Sequence, residues 1–424
     1  MHTTTFHNPT LETTTTSLLP VICKRTFFAL FIVAQLLLVS SITNAQPYQV
    51  ISTQNSVVGG DLNKTVTVVQ EGNNSLDRFK MSKVVKSVAP EGIKAAILLM
   101  PPLGSGFQNY EATDTGDYNN SFVAFFARRN FVVFGYSQRV NDLTAGSCES
   151  GAIDCSPMQN WGLQTIVDDA EFIRQQIAAE YPGLKIVIGG LSLGSLASTS
   201  VLNAHPNDYA GAILVDGTIH DTDPTVRAIN QNFCTQFEGL LAGGVYFDGQ
   251  NAPGFKAINQ LAQVAPNAPS PIPAFAGLTN HQAWVLALSA PPLSPVSPRP
   301  GYFNAAGSVV EDRLFFANEA LVHANIATFV DYTTIRSLRD LSCGLAGETT
   351  FTNNLGAFHG PVIMFAAGHG FGTAMFDTAQ LMTSADVTIN FKEQYGHVDY
   401  LFNTKHLQQL EHPILTWLTQ EVGQ

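Results

Sequence analysis

Lys185-Ile186-Val187-Ile188-Gly189-Gly190-Leu191-Ser192-Leu193-Gly194-Ser195 decides how this chain is read. Three β-branched apolar residues, Ile186 to Ile188, run without alternation into a glycine pair. A short apolar run bounded by turn residues is the pattern of a strand buried on both faces. Small residues follow from Leu193 to Ala204 and read as a helix. Between strand and helix stands Gly190-Leu191-Ser192-Leu193-Gly194, a G-x-S-x-G turn. The pattern alone is weak. In a strand–turn–helix context it lifts a serine hydroxyl above the sheet edge and aims a helix N-terminus at it. Gly190, Gly194 and Ser195 are small enough for neighbouring backbone to approach. Ser192 is therefore the candidate nucleophile.

The same rhythm continues on both sides. Ala95 to Met100, Phe131 to Phe134 and Ala210 to Val215 are further apolar runs. Residues 121–129 and Trp161 to Tyr181 repeat apolar residues at helical spacing, the latter ending at Pro182-Gly183. Buried strands alternating with helices predict a mostly parallel sheet flanked by helices, an α/β architecture. Residues 46–90 show weaker strand patterns, and Thr65 to Val69 reads as an edge strand. From 217 to 355 the rhythm breaks into a Pro- and Gly-rich stretch, with Pro266–Pro273 and Pro291–Pro300 its densest parts. Helix-like pieces interrupt it at His281–Leu288 and Glu311–Val322. The sheet pattern resumes at Pro361–Phe365 and Asp386–Phe391. The organisation expected is N-terminal strands in 46–90, a core in 91–216 and 356–424, and a cap or lid insertion over 217–355.

Composition excludes several classes. Of 424 residues only 13% are charged, against about 25% in an ordinary soluble domain. Disorder and a long charged coiled coil are both excluded on these grounds. With 21 Lys and Arg against 33 Asp and Glu, net charge −12, and no basic cluster, a nucleic-acid partner is not expected.

Lys24-Arg25, the apolar run Phe27–Val39 and the small residues ending at Ala45 read as a secretory signal peptide. The alternative is an uncleaved anchor, although the run is short for a membrane span. The Thr-rich lead-in from Thr3 to Thr16 is excluded from the fold. Residues 1–45 would thus be removed, leaving a secreted or periplasmic protein with no stable span. Four cysteines would then remain, and four allow three pairings. Cys148 and Cys155 close a short loop, which leaves Cys234 and Cys343 for each other. Four free thiols are the other reading. No metal pattern, phosphate loop or dinucleotide fingerprint is present, so neither cofactor nor metal is expected. Asn63, Asn73 and Asn119 head N-x-S/T sequences.

The chain resembles the α/β-hydrolase superfamily of serine esterases and lipases over residues 91–220 and 356–424. The resemblance rests on the Ser192 turn and on the order of elements. In that family the nucleophile follows the fifth strand, the acid the sixth or seventh, and the histidine the eighth. The cap follows the sixth strand, where 217–355 falls. The order Ser–acid–His implies a late histidine. Tyr395-Gly396-His397-Val398-Asp399-Tyr400 is similar to the G-H-x-D stretch of acid-lipase-like hydrolases, so His397 is the implied base. His412, next to Pro413, fits poorly, and His369 precedes the place of a base. Asp399 more readily fixes its own loop than serves as the acid. The stretch after the seventh strand, Ala366 to Thr373, contains no acid. Asp216, directly after the sixth-strand run, is the first choice, and Asp377 the alternative. The oxyanion hole implied by the family uses the N–H of Leu193 and one from Pro101-Pro102-Leu103-Gly104-Ser105-Gly106. Proline has no N–H, so Leu103 is the donor by position.

The reading that follows is ester hydrolysis through an acyl-enzyme on a small-molecule or lipid-like substrate. An amidase or peptidase with the same residues, and a catalytically inactive binding protein, are the alternatives. Aromatics of 217–355 (Phe233, Phe237, Tyr246, Phe247, Phe255, Phe275, Trp284, Tyr302, Phe303, Phe315, Phe316) would line an acyl site or form the cap's own core.

Overall fold

The computed structural model describes residues 48–88, 92–289 and 304–423. The signal-peptide reading of 1–45, Pro291–Pro300, Tyr302 and Phe303 lie outside the described residues.

Nine strands form one sheet. Tyr48–Val58 (β1), Leu62–Glu71 (β2) and Arg78–Lys86 (β3) are an antiparallel meander. Ala96–Met100 (β4), Val132–Ser137 (β5), Ile186–Leu191 (β6), Gly211–Val215 (β7), Val362–Ala367 (β8) and Val387–Lys392 (β9) follow. The order is β1-β2-β3-β5-β4-β6-β7-β8-β9, parallel from β5 onward. Every residue of β4 to β8 is buried. That is why these strands appear in the sequence as unbroken apolar runs rather than alternating ones. Helices Phe122–Ala127 (α1), Leu163–Glu180 (α2) and Leu193–Ala204 (α3) connect them. The odd and even residues of the strands feed two separate apolar layers, Ile97, Leu99 and Val133 on one face and Ala96, Leu98 and Val132 on the other.

The N-terminal region differs from the sequence reading. Thr65 to Val69 is not an edge, because β2 pairs with β1 on one side and β3 on the other. The edge is β1, whose residues Gln49–Val57 are exposed on both faces. With neither face covered, Tyr48–Val58 has no reason to alternate, and its strand character is hard to see in the sequence. With three strands in this region, Ser192 follows the sixth strand of this chain.

Among the described residues, 217–355 contribute no strand to this sheet. They form helices Pro224–Ala242 (α4), Asn251–Val264 (α5), Asn280–Ser289 (α6), Glu319–Ala327 (α7) and Ile335–Ala346 (α8), with two short ribbons. The helix expected over Glu311–Val322 starts later. Arg313-Leu314 pair with Gly307-Ser308, Asp312 turns at φ +51°, and Asn318 caps α7 by accepting from Leu321 N. Trp284 and Phe237 are buried and Phe315 is exposed. The ends of the segment are tied together by the Cys234–Cys343 disulfide between α4 and α8; Cys148–Cys155 closes the short loop. The segment's far end is also fastened to the core. Asp340 on α8 accepts from Leu163 N at 2.9 Å, capping α2, and Thr334 Oγ1 donates to Trp161 O at 2.7 Å. Helix Ala374–Leu381 (α9) connects β8 to β9. His412 does not begin the terminal helix. It lies within a continuous helical run, Leu407–Val422, whose first turn is wide.

The main buried ion pair joins the meander to the core. Arg139 Nη2 reaches Asp169 Oδ1 at 2.6 Å and Nε reaches Oδ2 at 3.1 Å, with both side chains out of solvent. Tyr136 and Tyr48 hydroxyls donate to the same carboxylate, and Glu71 and Asp77 bind the guanidinium. Each Asp169 oxygen thus accepts two hydrogen bonds, and all three guanidinium nitrogens donate to a carboxylate, the kind of pairing that lets a buried ion pair be tolerated. Asp169→Asn leaves Arg139 with a buried, weakened partner and is expected to lower unfolding stability by about 3–5 kcal/mol, read from urea denaturation of the disulfide-intact protein.

Candidate active site

Ser192 stands between β6 and α3 with φ +59° and ψ −122°, a region that costs a non-glycine residue about 1–3 kcal/mol. Close backbone crossings hold it there. A Cβ on Gly194 would lie 1.9 Å from Met100 O; one on Gly190 would lie 2.2 Å from the same oxygen and 2.9 Å from Gly194 Cα. A Cβ on Gly217 would lie 2.1 Å from Ser192 O. The chain ends of β4, β6 and β7 therefore meet with no room for side chains. Ser195 contributes a hydroxyl that donates to Gly217 O at 2.6 Å, and Ser192 N donates to Val215 O at 2.9 Å.

Asp216 leaves β7 with φ +36° and is fully buried. Its Oδ1 accepts from Ala367 N at 2.8 Å, and its Oδ2 accepts from Phe371 N at 3.2 Å. His397 Nδ1 lies 2.7 Å from Oδ2. A carboxylate oxygen only accepts, so Nδ1 carries the proton and Nε2 is the basic nitrogen. The last residue of β8 and the loop after it, which has no acid of its own, supply the two amides that cradle Asp216. Gly370 is required in that loop. A Cβ there would lie 1.9 Å from Asp216 Oδ2 and 3.0 Å from His397 Cα. The Phe371 ring packs edge-on against the imidazole, 5.4 Å between centroids.

Asp377 is placed elsewhere. It lies in the first turn of α9 and accepts from Thr222 N and Oγ1 at 3.0 and 2.8 Å. His369 N donates to Tyr395 O in the loop that leads to His397. The His397 loop is buried and pinned from within. Asp399 Oδ2 accepts from Gly396 N at 2.7 Å and from Ala306 N at 3.0 Å. Val398 N donates to Asn304 O at 2.8 Å, so residues 304–306 are stitched to the His397 loop.

Leu193 is the first residue of α3, so its N–H has no partner within the helix. Leu103 follows Pro101-Pro102 in the turn after β4. That turn bears on Gly194 through Met100 O and Pro101 O, and Gly104 O accepts from Val330 N at 2.8 Å. Sequence pattern does not single out Gly370, Phe371 or Tyr110, whose hydroxyl accepts from the N–H of Leu191, next to Ser192. The glycine run Gly368-His369-Gly370-Phe371-Gly372 was the one available signal for the first two. Among the described residues, two groups have metal-like spacing. Cys234 and Cys343 of the first are a disulfide. In the second, Glu171, His205 and Asp208, Arg174 holds Glu171 at 2.7 Å and so takes a cation's place.

This architecture is the α/β-hydrolase fold: a mostly parallel sheet with helices on both faces and a serine on the strand-to-helix turn of a central strand. No protein-family model and no curated protein matches the chain. Solved structures do. A candidate lipase from Sulfolobus solfataricus aligns over 88% of this chain and 99% of its own, with TM-score 0.62 and 20% identity. A highly thermostable carboxyl esterase from Bacillus coagulans aligns over 88% and 99%, with TM-score 0.51 and 15% identity.

Burial raises the Asp399 carboxyl from its usual value to about 7, against the two amides that stabilise its charge, and nearby Asp216 adds repulsion. A raised acid binds more protons in the folded than in the unfolded state. Its contribution is fully present below about pH 4 and is lost as pH rises toward 7. Asp399→Asn keeps an acceptor for both amides and cannot ionise. Melting temperature measured against pH is expected to decline less steeply for this variant between pH 4 and 7 than for the wild type.

Proposed function

We propose that the chain is a serine hydrolase of carboxylic esters, acting through an acyl-enzyme. The observation that carries this reading is the 2.7 Å contact of His397 Nδ1 with buried Asp216, on the same sheet edge as the strained Ser192. In the reaction, His397 Nε2 takes the Ser192 proton as the hydroxyl attacks the ester carbonyl. Asp216 holds the tautomer and stabilises the imidazolium without taking the proton. The N–H groups of Leu193 and Leu103 receive the developing oxyanion, where the N-terminus of α3 adds favourable charge. The imidazolium then protonates the leaving alcohol. Water, deprotonated by the same nitrogen, releases the acid and restores Ser192. The chemistry needs no cofactor.

The lipase and esterase names of the two similar structures support an ester substrate of small-molecule or lipid-like kind. In this reading residues 217–355 are the cap, and the two disulfides support a location outside the cytosol. Among the described residues no helix is long and apolar enough to cross a membrane.

A fluorophosphonate probe is expected to label the wild type at Ser192 and to leave Ser192→Ala unlabelled. An unlabelled wild type would refute the hydrolase reading. On a chromogenic p-nitrophenyl ester, Asp216→Asn is expected to lose about 10³–10⁴-fold in kcat, while Asp377→Asn stays near wild type. The reverse pattern would move the acid to Asp377. A series of p-nitrophenyl esters of increasing chain length then sets the acyl preference.

A further inference from the structure

We infer that Tyr110 is a positioning residue for the reacting serine: its hydroxyl bridges the end of β4 to the residue before Ser192. The inference rests on the hydrolase reading of Ser192.

β4 and β6 are paired in parallel as far as Met100 opposite Gly190. Beyond that point the chains diverge, β4 into Pro101-Pro102-Leu103 and β6 into the serine turn. Amides of a central parallel strand alternate between its two neighbours. Ser192 N donates to Val215 O on the β7 side. The preceding amide, Leu191 N, therefore points toward β4, where the ladder has ended. Tyr110 fills this gap from the short turn Phe107–Tyr110. Its hydroxyl accepts from Leu191 N at 2.8 Å and donates to Met100 O at 2.7 Å.

Donating and accepting at once requires the neutral phenol. Burial, the dominant effect, pushes the Tyr110 ionisation well above its ordinary value. The ring packs against Phe122, 5.7 Å between centroids, and is 3% exposed, so the hydroxyl has little freedom to move.

The two atoms it joins both matter to the proposed chemistry. Met100 O is the oxygen against which Gly190 and Gly194 pack, and Leu103 lies three residues further on. Leu191 is covalently next to Ser192. One hydroxyl thus fixes the spacing between the nucleophile turn and the oxyanion loop. Without it, a buried donor and a buried acceptor are left unpaired, and the gap between the strands is free to relax. Small misplacements of reacting groups can cost about 100-fold in rate.

The test is Tyr110→Phe, which removes only the oxygen, compared with Tyr136→Phe. Tyr136 is an equally buried phenol that bonds Asp169 in the ion-pair cluster. On the chromogenic ester, Tyr110→Phe is expected to lower kcat about 10- to 100-fold, with KM within about threefold of the wild type and a matching slowing of fluorophosphonate labelling in folded protein. Tyr136→Phe is expected to lower melting temperature while keeping kcat. A purely structural Tyr110 would behave like Tyr136, and that result overturns the inference. Hydrogen exchange at the Leu191 amide of the wild type needs no variant. Strong protection is expected, and fast exchange overturns the bridge even if Tyr110→Phe does not fold. If the wild type itself neither labels nor turns over, the hydrolase reading falls and this inference with it. Wild-type activity with an unimpaired Tyr110→Phe removes the inference alone.

Discussion

The organisation of the candidate site depends on one close crossing. The Met100 carbonyl, at the end of β4, sits against the backbones of Gly190 and Gly194 on either side of Ser192. No Cβ fits at either glycine. This contact joins the strand that delivers the serine to the strand that delivers the Leu103 turn. It also forces Ser192 into a positive-φ conformation that a serine does not choose by itself. The strain persists because several backbones define it together, with Gly217 closing the third side. In such a place rigidity comes from missing side chains rather than from added ones.

Asp216, the proposed acid, is held by the same logic. Asp216 leaves its strand in a second positive-φ turn and is buried where an unpaired carboxylate would be costly. The amide of Ala367 at the end of β8, the amide of Phe371 in the loop that follows, and one imidazole nitrogen meet it. That loop carries Gly370 where any side chain would strike the carboxylate. The loop thus serves the site through backbone groups, which explains why it holds no acid itself.

Charge is used sparingly, and its placement is informative. With only 13% charged residues, the interior pair Arg139–Asp169 stands out. It gathers β1, β2, β5 and α2 at one point and fastens an N-terminal meander whose first strand is otherwise exposed. The segment 217–355 is secured differently. A disulfide joins its ends, helix α8 caps α2, and residues 304–306 bond to the histidine loop. The segment therefore touches the His397 loop directly, through Ala306 and Asn304.

The central strands and helix α3 were legible in the sequence because burial on both faces leaves an unmistakable apolar run, and because glycines flank the serine at fixed spacing. Ser192 and the late position of His397 followed from local pattern and order. Local pattern does not reach further. β1 escaped notice because neither of its faces is covered. The helix near 319 began late because a single cap, Asn318, decided its start. In one dimension Asp216 is the first choice and Asp377, 161 residues further on, stays open as the alternative.

 Which of them meets His397 depends on where the loops after β7 and β8 point. Only the folded sheet sets those directions, because it brings together residues distant in sequence. Tyr110 illustrates the same limit. Nothing in Phe107–Tyr110 marks it, and its role exists only because β4 and β6 part company beside its hydroxyl. The sequence by itself determined which segments are buried and where the backbone must turn sharply, since both are local consequences of side-chain polarity and size. The tertiary structure alone decided which polar groups meet, since hydrogen-bond partners are chosen by proximity in space.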